Sequence, residues 1–302
     1  MMRRSIEEIL QRVSSRLRAT RRRDVDWREI DGIDRIIRLT IDSKHLKGAR
    51  DVLLYLPPSY AEEPGKRYPV FYVQDGQNLF FDRLAFGGHS WRLRETADRL
   101  IEQKRIEPLI IAGIFHGGSA RIEEYTQTRD RRHRRSGRGE TYERFVLEEL
   151  KPAIEARFPT ASGSDGAAIG GSSLGGLAAL SIALRHPEVF GRVAALSPSV
   201  WWDDRMIVRM VQRLPRSTDS AIWIDVGDRE SDTAVSDARR LRDALIEKGW
   251  DRGRLRYVEV TEGAHHESAW GERMPEVLQF LFPPRAEKER SDVVMEAESL
   301  RI

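Results

Sequence analysis

The chain carries Gly171-Ser172-Ser173-Leu174-Gly175, preceded by the apolar run Ala167-Ala168-Ile169 and followed by Leu177-Ala178-Ala179-Leu180. A strand-like run, a tight turn and a helix-forming run in that order hold a serine hydroxyl exposed on a strained strand-to-helix turn. Glycines two positions either side of Ser173 leave room for strand and helix to approach, and they disfavour the neighbouring Ser172. A helix starting directly after Ser173 turns its positive end and the Leu174 N–H toward a developing oxyanion. Such a serine suits nucleophilic attack on a carbonyl. The bland alternative is a glycine-rich turn that at most cradles a phosphate, and the flanking strand and helix favour the nucleophile.

A serine hydroxyl is a weak nucleophile until a base takes its proton. With the chain order nucleophile, acid, histidine, the histidines left downstream of Ser173 are His186, His265 and His266. His186 precedes Pro187 at the end of the helix that begins at Ser173, where it would interact with the C-terminal dipole instead. Thr261-Glu262-Gly263-Ala264-His265-His266-Glu267 follows the last expected strand, so His265 or His266 is the candidate base. Neither belongs to an HExxH pattern or has a third ligand cluster nearby, so no metal site is expected. The acid that orients the imidazole should follow the preceding strand. There Ile222-Trp223-Ile224-Asp225-Val226-Gly227 is succeeded by Asp228, Glu230 and Asp232. Any of the three could serve, and at least two are expected to be structural, capping the helix that begins near Thr233.

These groups need a sheet whose carboxyl edge gathers them. From residue 34 onward apolar β-rich runs alternate with amphipathic stretches, the pattern of a mostly parallel α/β sheet with helices on both faces. IIRLTIDS and ARDVLLYLPP read as an antiparallel opening pair, the second stopped by Pro57-Pro58. PVFYVQD, LIIAGIF, AAIGGS, RVAALS, IWIDVG and RYVEVTE follow, mostly as continuous apolar runs suited to strands buried on both faces. Helices are expected near residues 90–104, 140–158, 175–186, 233–248 and 271–281, long enough for right-handed crossovers. The expected organisation is a charged amphipathic helix over 1–25, a catalytic domain over 26–285 and a charged tail over 286–302. The helical stripe Ile6, Ile9, Leu10, Val13 and Leu17 would dock on the domain or on a second copy, which makes a homodimer an expectation.

Bulk composition removes several other classes. With 302 residues and 40% hydrophobic residues the chain can bury one substantial core. Mean hydropathy is −0.53 and no run of about 18 apolar residues occurs, so no membrane span is expected. A pI of about 9.2 hides a near balance of 51 basic against 48 acidic residues, a net charge of +3. The basic excess sits in Arg21-Arg22-Arg23 and Arg131-Arg132-His133-Arg134-Arg135, neither interleaved with aromatics, so solvated loops are expected and nucleic acid is not. The absence of cysteine excludes disulfides and thiolate chemistry. The N-terminus lacks the apolar region of a secretory signal, and a cytoplasmic location is the default expectation.

Four ordered segments resemble a known family of esterases that includes enterochelin (siderophore) esterases, esterase D-like enzymes and feruloyl or acetyl-xylan esterases. They are Tyr68-Pro69-Val70-Phe71-Tyr72-Val73-Gln74-Asp75-Gly76-Gln77-Asn78-Leu79-Phe80, Gly171-Ser172-Ser173-Leu174-Gly175-Gly176, Ser197-Pro198-Ser199-Val200-Trp201-Trp202 and Gly263-Ala264-His265-His266-Glu267-Ser268-Ala269-Trp270. The resemblance covers roughly residues 34–283 and implies the α/β-hydrolase fold. It further implies Ser173 as nucleophile, His265 as base and Glu230 as acid, with His266 standing where the family more often has Asn or Ser. Backbone N–H groups of Leu174 and near Gln77 would form the oxyanion hole. Trp201 and Trp202 would wall the substrate pocket, although buried packing accounts equally well for at least one of them. Arg121 and Tyr125 fall in a segment similar to one at the mouth of the family's active site. The activity implied is hydrolysis of a small-molecule ester without any cofactor. Transfer of the acyl group to an alcohol, and a non-catalytic binding role for the fold, are the alternatives.

Overall fold

The computed structural model describes residues 35–131, 136–215 and 219–284. The helix expected over 1–25, nearly all of the second arginine tract and the tail over 286–302 lie outside these residues. Strand β1 (Ile36–Ile41) pairs antiparallel with β2 (Arg50–Tyr55), Leu39 opposite Val52. Then come β3 (Val70–Gln74), β4 (Ile110–Ile114), β5 (Ala167–Ser172), β6 (Arg192–Leu196), β7 (Ala221–Gly227) and β8 (Leu255–Val260). The eight strands form one sheet in the order β1-β2-β4-β3-β5-β6-β7-β8. β2 meets β4 antiparallel, and every pairing from β4 to β8 is parallel. β3 to β6 are buried along their whole length, which is why their sequences run apolar without alternation.

Helices α1 (Leu93–Glu102), α2 (Arg121–Tyr125), α3 (Gly139–Arg144), α4 (Lys151–Glu155), α5 (Leu174–Arg185), α6 (Trp202–Arg213), α7 (Ala234–Glu247) and α8 (Glu267–Leu281) complete the layers. One face of the sheet packs on a core that includes Tyr142, Phe145, Leu177, Ile182, Ile207 and Leu245, from α3, the turn after it, α5, α6 and α7. The other face packs on Leu93, Leu100, Trp270, Val277 and Leu281 from α1 and α8. α5 is buried from Leu174 to Leu184, so it has no polar face, as suits the central helix of a three-layer domain.

Besides the short α2, which no expected helix covers, two elements differ from expectation. The helix expected over 140–158 is interrupted by a π turn at Phe145–Leu150. Pro152 lies just beyond, and its missing N–H removes an i→i−4 bond that a continuous α-helix would need. α6 was not expected; the apolar positions Met206, Ile207 and Val211 that bury it were too few against its charged residues to stand out. Its first turn, Asp203 to Arg205, is left-handed, with φ of 42°, 49° and 60°. No helix among the described residues is long and apolar enough to cross a membrane.

Candidate active site

Ser173 occupies the turn between β5 and α5 with φ 54° and ψ −124°, a conformation costing a non-glycine residue on the order of 1–3 kcal/mol. Close packing imposes it. A Cβ added at Gly171 would lie 2.8 Å from the Gln74 Cβ, and one at Gly175 would lie 2.9 Å from the same atom. Both glycines are therefore required by the approach of the β3 end to the β5–α5 corner. The Ser173 N–H donates to the Leu196 carbonyl at 3.0 Å, and its carbonyl accepts from the Leu177 and Ser199 N–H groups. The backbone around the hydroxyl is thus fixed from both sides.

His265 stands in the loop after β8 with Nε2 3.0 Å from the Ser173 Oγ and Nδ1 2.9 Å from the Glu230 Oε2. The edge of the Trp270 ring meets its imidazole, centroids 4.9 Å apart at 82°. Glu230 follows β7, and its Oε1 accepts from the Gly227 N–H at 2.7 Å, from the Ser197 hydroxyl at 2.5 Å and from Arg273 at 3.4 Å. Burial works to raise the Glu230 carboxyl, but the hydrogen bonds from His265, Ser197 and Gly227 outweigh it and hold the group below the usual carboxylate range. Asp228 and Asp232 are exposed and face solvent on the same loop. The expectation that the spare acids cap the following helix is corrected: the Thr233 end of α7 has no side-chain cap, and its first-turn acid is Asp237, bound by Arg205 at 2.6 Å.

His266 does something different from its neighbour. It is the N-cap of α8, its Nδ1 accepting from the Ala269 N–H at 3.3 Å and facing the Ser268 hydroxyl at 2.7 Å. His186 ends α5, about 20 Å along the helix axis from Ser173, and pairs with Glu143 at 2.8 Å.

Leu174 is the first residue of α5, so its N–H has no acceptor within the helix. Gln77 lies in a short 3-10 turn, Gly76–Asn78, directly after β3. β3 and β5 are parallel neighbours with Val73 opposite Gly170, which sets that turn beside Ser173. Asp75 opens the turn in a left-handed conformation, φ 56°, and Arg121 clamps its carboxylate with two bonds of 2.8 Å while lying over the Tyr125 ring. Arg121, expected at the substrate, thus spends two donors ordering the Gln77 turn, with a quarter of its side chain still exposed. Asn78 ties the same turn to α8 through Glu267 at 2.8 Å. Burial and the nearby Asp75 carboxylate push Glu267 above the usual range.

The two tryptophans part company. Trp201 is 41% exposed, two residues beyond Ser199, whose hydroxyl lies 3.3 Å from that of Ser173. Trp202 is a correction: it is wholly buried in the α6 core, with Nε1 on the Thr128 carbonyl at 3.1 Å, and does not face the site. Residues that the sequence did not mark are Ser199, beside the Ser173 hydroxyl, and Ser197, Asp225, Trp270 and Arg273, which meet behind Glu230. Trp270 and Arg273 share one face of α8 at i, i+3, but nothing in the chain marked which loop that face would meet. A groove of about 610 Å³ runs along the outer side of the His265 loop past Val258, Val260, His266 and Ala269, and neither Ser173 nor His265 lines it. Among the described residues no group of three or more His, Asp or Glu side chains is set to hold a metal ion.

The eight-stranded, mostly parallel sheet with helices on both faces and a serine turn between β5 and α5 is an α/β-hydrolase fold. Residues 43–281 match the family described as "Putative esterase"; the chain belongs to that family and is by class a carboxylic ester hydrolase. It is 27% identical over 253 residues to "Uncharacterized protein YbbA" of Bacillus subtilis, covering 80% of this chain and 95% of that one. Against the "Endo-1,4-beta-xylanase/feruloyl esterase" of Xylanibacter ruminicola it is 28% identical over 239 residues, 76% of this chain and 29% of the longer relative. The solved structure of the BES protein from Bacillus cereus superposes with a TM-score of 0.67 at 21% identity, over 88% of this chain and 99% of the other. At that identity the likeness speaks for the fold.

Proposed function

We propose that the protein hydrolyses the ester of a small molecule through an acyl-enzyme on Ser173. The observation that carries this is the unbroken series Ser173 Oγ, His265, Glu230, with contacts of 3.0 and 2.9 Å. His265 Nε2 takes the hydroxyl proton as Ser173 Oγ attacks the ester carbonyl, and Glu230 holds Nδ1–H so that the accepting tautomer faces the serine. The tetrahedral oxyanion rests on the Leu174 N–H at the start of α5 and on N–H groups of the Gln77 turn, each worth about 3 kcal/mol of barrier. His265 then gives the proton to the departing alcohol. Water, activated by the same imidazole, attacks the acyl-enzyme and releases the acid. The feruloyl esterase activity in one relative's name agrees with a carboxylic ester as substrate.

The test is hydrolysis of a short-chain p-nitrophenyl ester by the wild type and Ser173→Ala, with fluorophosphonate labelling of both. Joint loss of turnover and label in the variant is the expected result; equal turnover in both proteins would reject the reading.

A further inference from the structure

Behind the contact between His265 and Glu230 lies a buried set of groups outside the proposed reaction path. The Ser197 hydroxyl has three partners. Two of them, Trp270 Nε1 and Arg273 Nη1, each at 2.9 Å, can only donate, so they fill its acceptor positions. Its single proton is left for the Glu230 Oε1 at 2.5 Å. Asp225, fully buried, also receives donors alone: Arg273 Nη1 at 2.6 Å and the Ser197 N–H at 3.2 Å on Oδ1, and Trp223 Nε1 at 2.8 Å on Oδ2. A protonated Asp225 would find no acceptor among them, so the group is the carboxylate even though burial pushes it above its usual range. One guanidinium therefore stands between two carboxylates, 2.6 Å from Asp225 and 3.4 Å from Glu230.

Charge counting gives this arrangement a purpose. Two carboxylates and one guanidinium leave a single negative charge, cancelled when His265 takes a proton. Arg273 facing Glu230 alone would neutralise it and remove what stabilises the imidazolium. We propose that Asp225 is a positioning residue for the hydrolytic reaction: it engages Arg273 so that Glu230 keeps its negative charge for His265. The inference rests on the roles proposed above for Ser173 and His265. Other groups facing His265 are the Ser173 hydroxyl, the Trp270 ring and the Glu267 carboxylate at the start of α8, which itself feels Asp75 and Arg121. The exposed Arg229–Glu262 pair lies on the flanking loops. None of these changes in the variants below.

The experiment is the pH profile of kcat/KM for a short-chain p-nitrophenyl ester, measured on wild type, Asp225→Asn and Arg273→Gln. Asp225→Asn leaves the guanidinium unopposed, so the acidic limb moves to lower pH by about one unit and the plateau falls about tenfold. Arg273→Gln removes the cation, so the limb moves to higher pH. Displacements of opposite sign support the role of Asp225; limbs that stay put, or move together, overturn it. Where Asp225→Asn fails to fold by circular dichroism, Asp225→Ser takes its place, and a limb that does not move to lower pH in it overturns the role of Asp225. Turnover in the wild type that survives Ser173→Ala would reject the hydrolytic reading itself, whereas Ser173-dependent turnover with unmoved limbs rejects only the part given to Asp225.

Discussion

His265 Nε2 comes within 3.0 Å of the Ser173 Oγ across 92 residues of chain and three strand positions of the sheet. β5 and β8 are about 14 Å apart at the usual strand spacing, so the loop after β8 must fold back over the carboxyl ends of β7 and β6. Its course is fixed by the Arg229 N–H on the Gly263 carbonyl at 3.1 Å, by Trp270 on Ser197 at 2.9 Å and by Asn78 on Glu267 at 2.8 Å. Imidazole and hydroxyl therefore meet through tertiary tethers, and the consequences can be measured.

The proposed nucleophile also sits in a strained turn. Ser173→Ala is expected to lower kcat by at least a factor of about 10³ with little change in thermal stability. Ser173→Gly should be equally inactive yet more stable by about 1 kcal/mol, because glycine accepts φ 54° without penalty. Chemical denaturation of the two variants checks this; a glycine variant less stable than the alanine one would show that the turn is not strained.

The adjacent histidines separate cleanly. His265→Gln should abolish turnover while leaving the midpoint of unfolding near that of wild type. His266→Ala removes the N-cap of α8 and should cost about 1 kcal/mol of stability while the folded fraction keeps its turnover. The reverse pattern would exchange their roles.

Glu230 gives a pH dependence with a definite sign. Its folded carboxyl lies below the ordinary value, so ionised Glu230 stabilises the fold above the unfolded range of about 4.3, and that contribution is lost as pH falls through the folded value. The stability gap between wild type and Glu230→Gln should be constant from about pH 6 to 8 and shrink below about pH 4. Thermal melts across that range test it, and a gap that widens in acid would contradict the sign. At neutral pH the same variant should lose a factor of about 10² to 10⁴ in kcat, because an amide no longer dictates the imidazole tautomer.

The tryptophans offer a contrast between neighbours. Trp202→Ala should cost about 3–5 kcal/mol of stability, as for other large buried aromatics, and leave the Thr128 carbonyl without its indole donor. Trp201→Ala, at an exposed position, should change stability far less and act on KM for bulky esters. Denaturant midpoints and KM values for short and bulky p-nitrophenyl esters distinguish the two.

What the chain determined alone is what periodicity and local stereochemistry encode. Continuous apolar runs marked β3 to β6 as strands buried on both faces, and Gly171 and Gly175 marked a corner tight enough to expose Ser173. The same local signals were silent on α6, whose buried positions are few, and on the π turn before Pro152. Chain order left both His265 and His266 open and only the family resemblance preferred His265; the tertiary structure supplies the physical reason, since both lie on one loop and the tethers of α8 aim one ring at the serine and the other at the Ala269 N–H. Likewise the resemblance preferred Glu230 to Asp228 or Asp232, and the fold shows what holds it at the imidazole, the Gly227, Ser197 and Arg273 donors. Local sequence cannot encode a contact between residues dozens of positions apart. The set of Ser197, Asp225, Trp270 and Arg273 exists only once β6, β7 and α8 are packed together, and a buried guanidinium between two carboxylates is stable only where the fold removes water and supplies every remaining hydrogen bond.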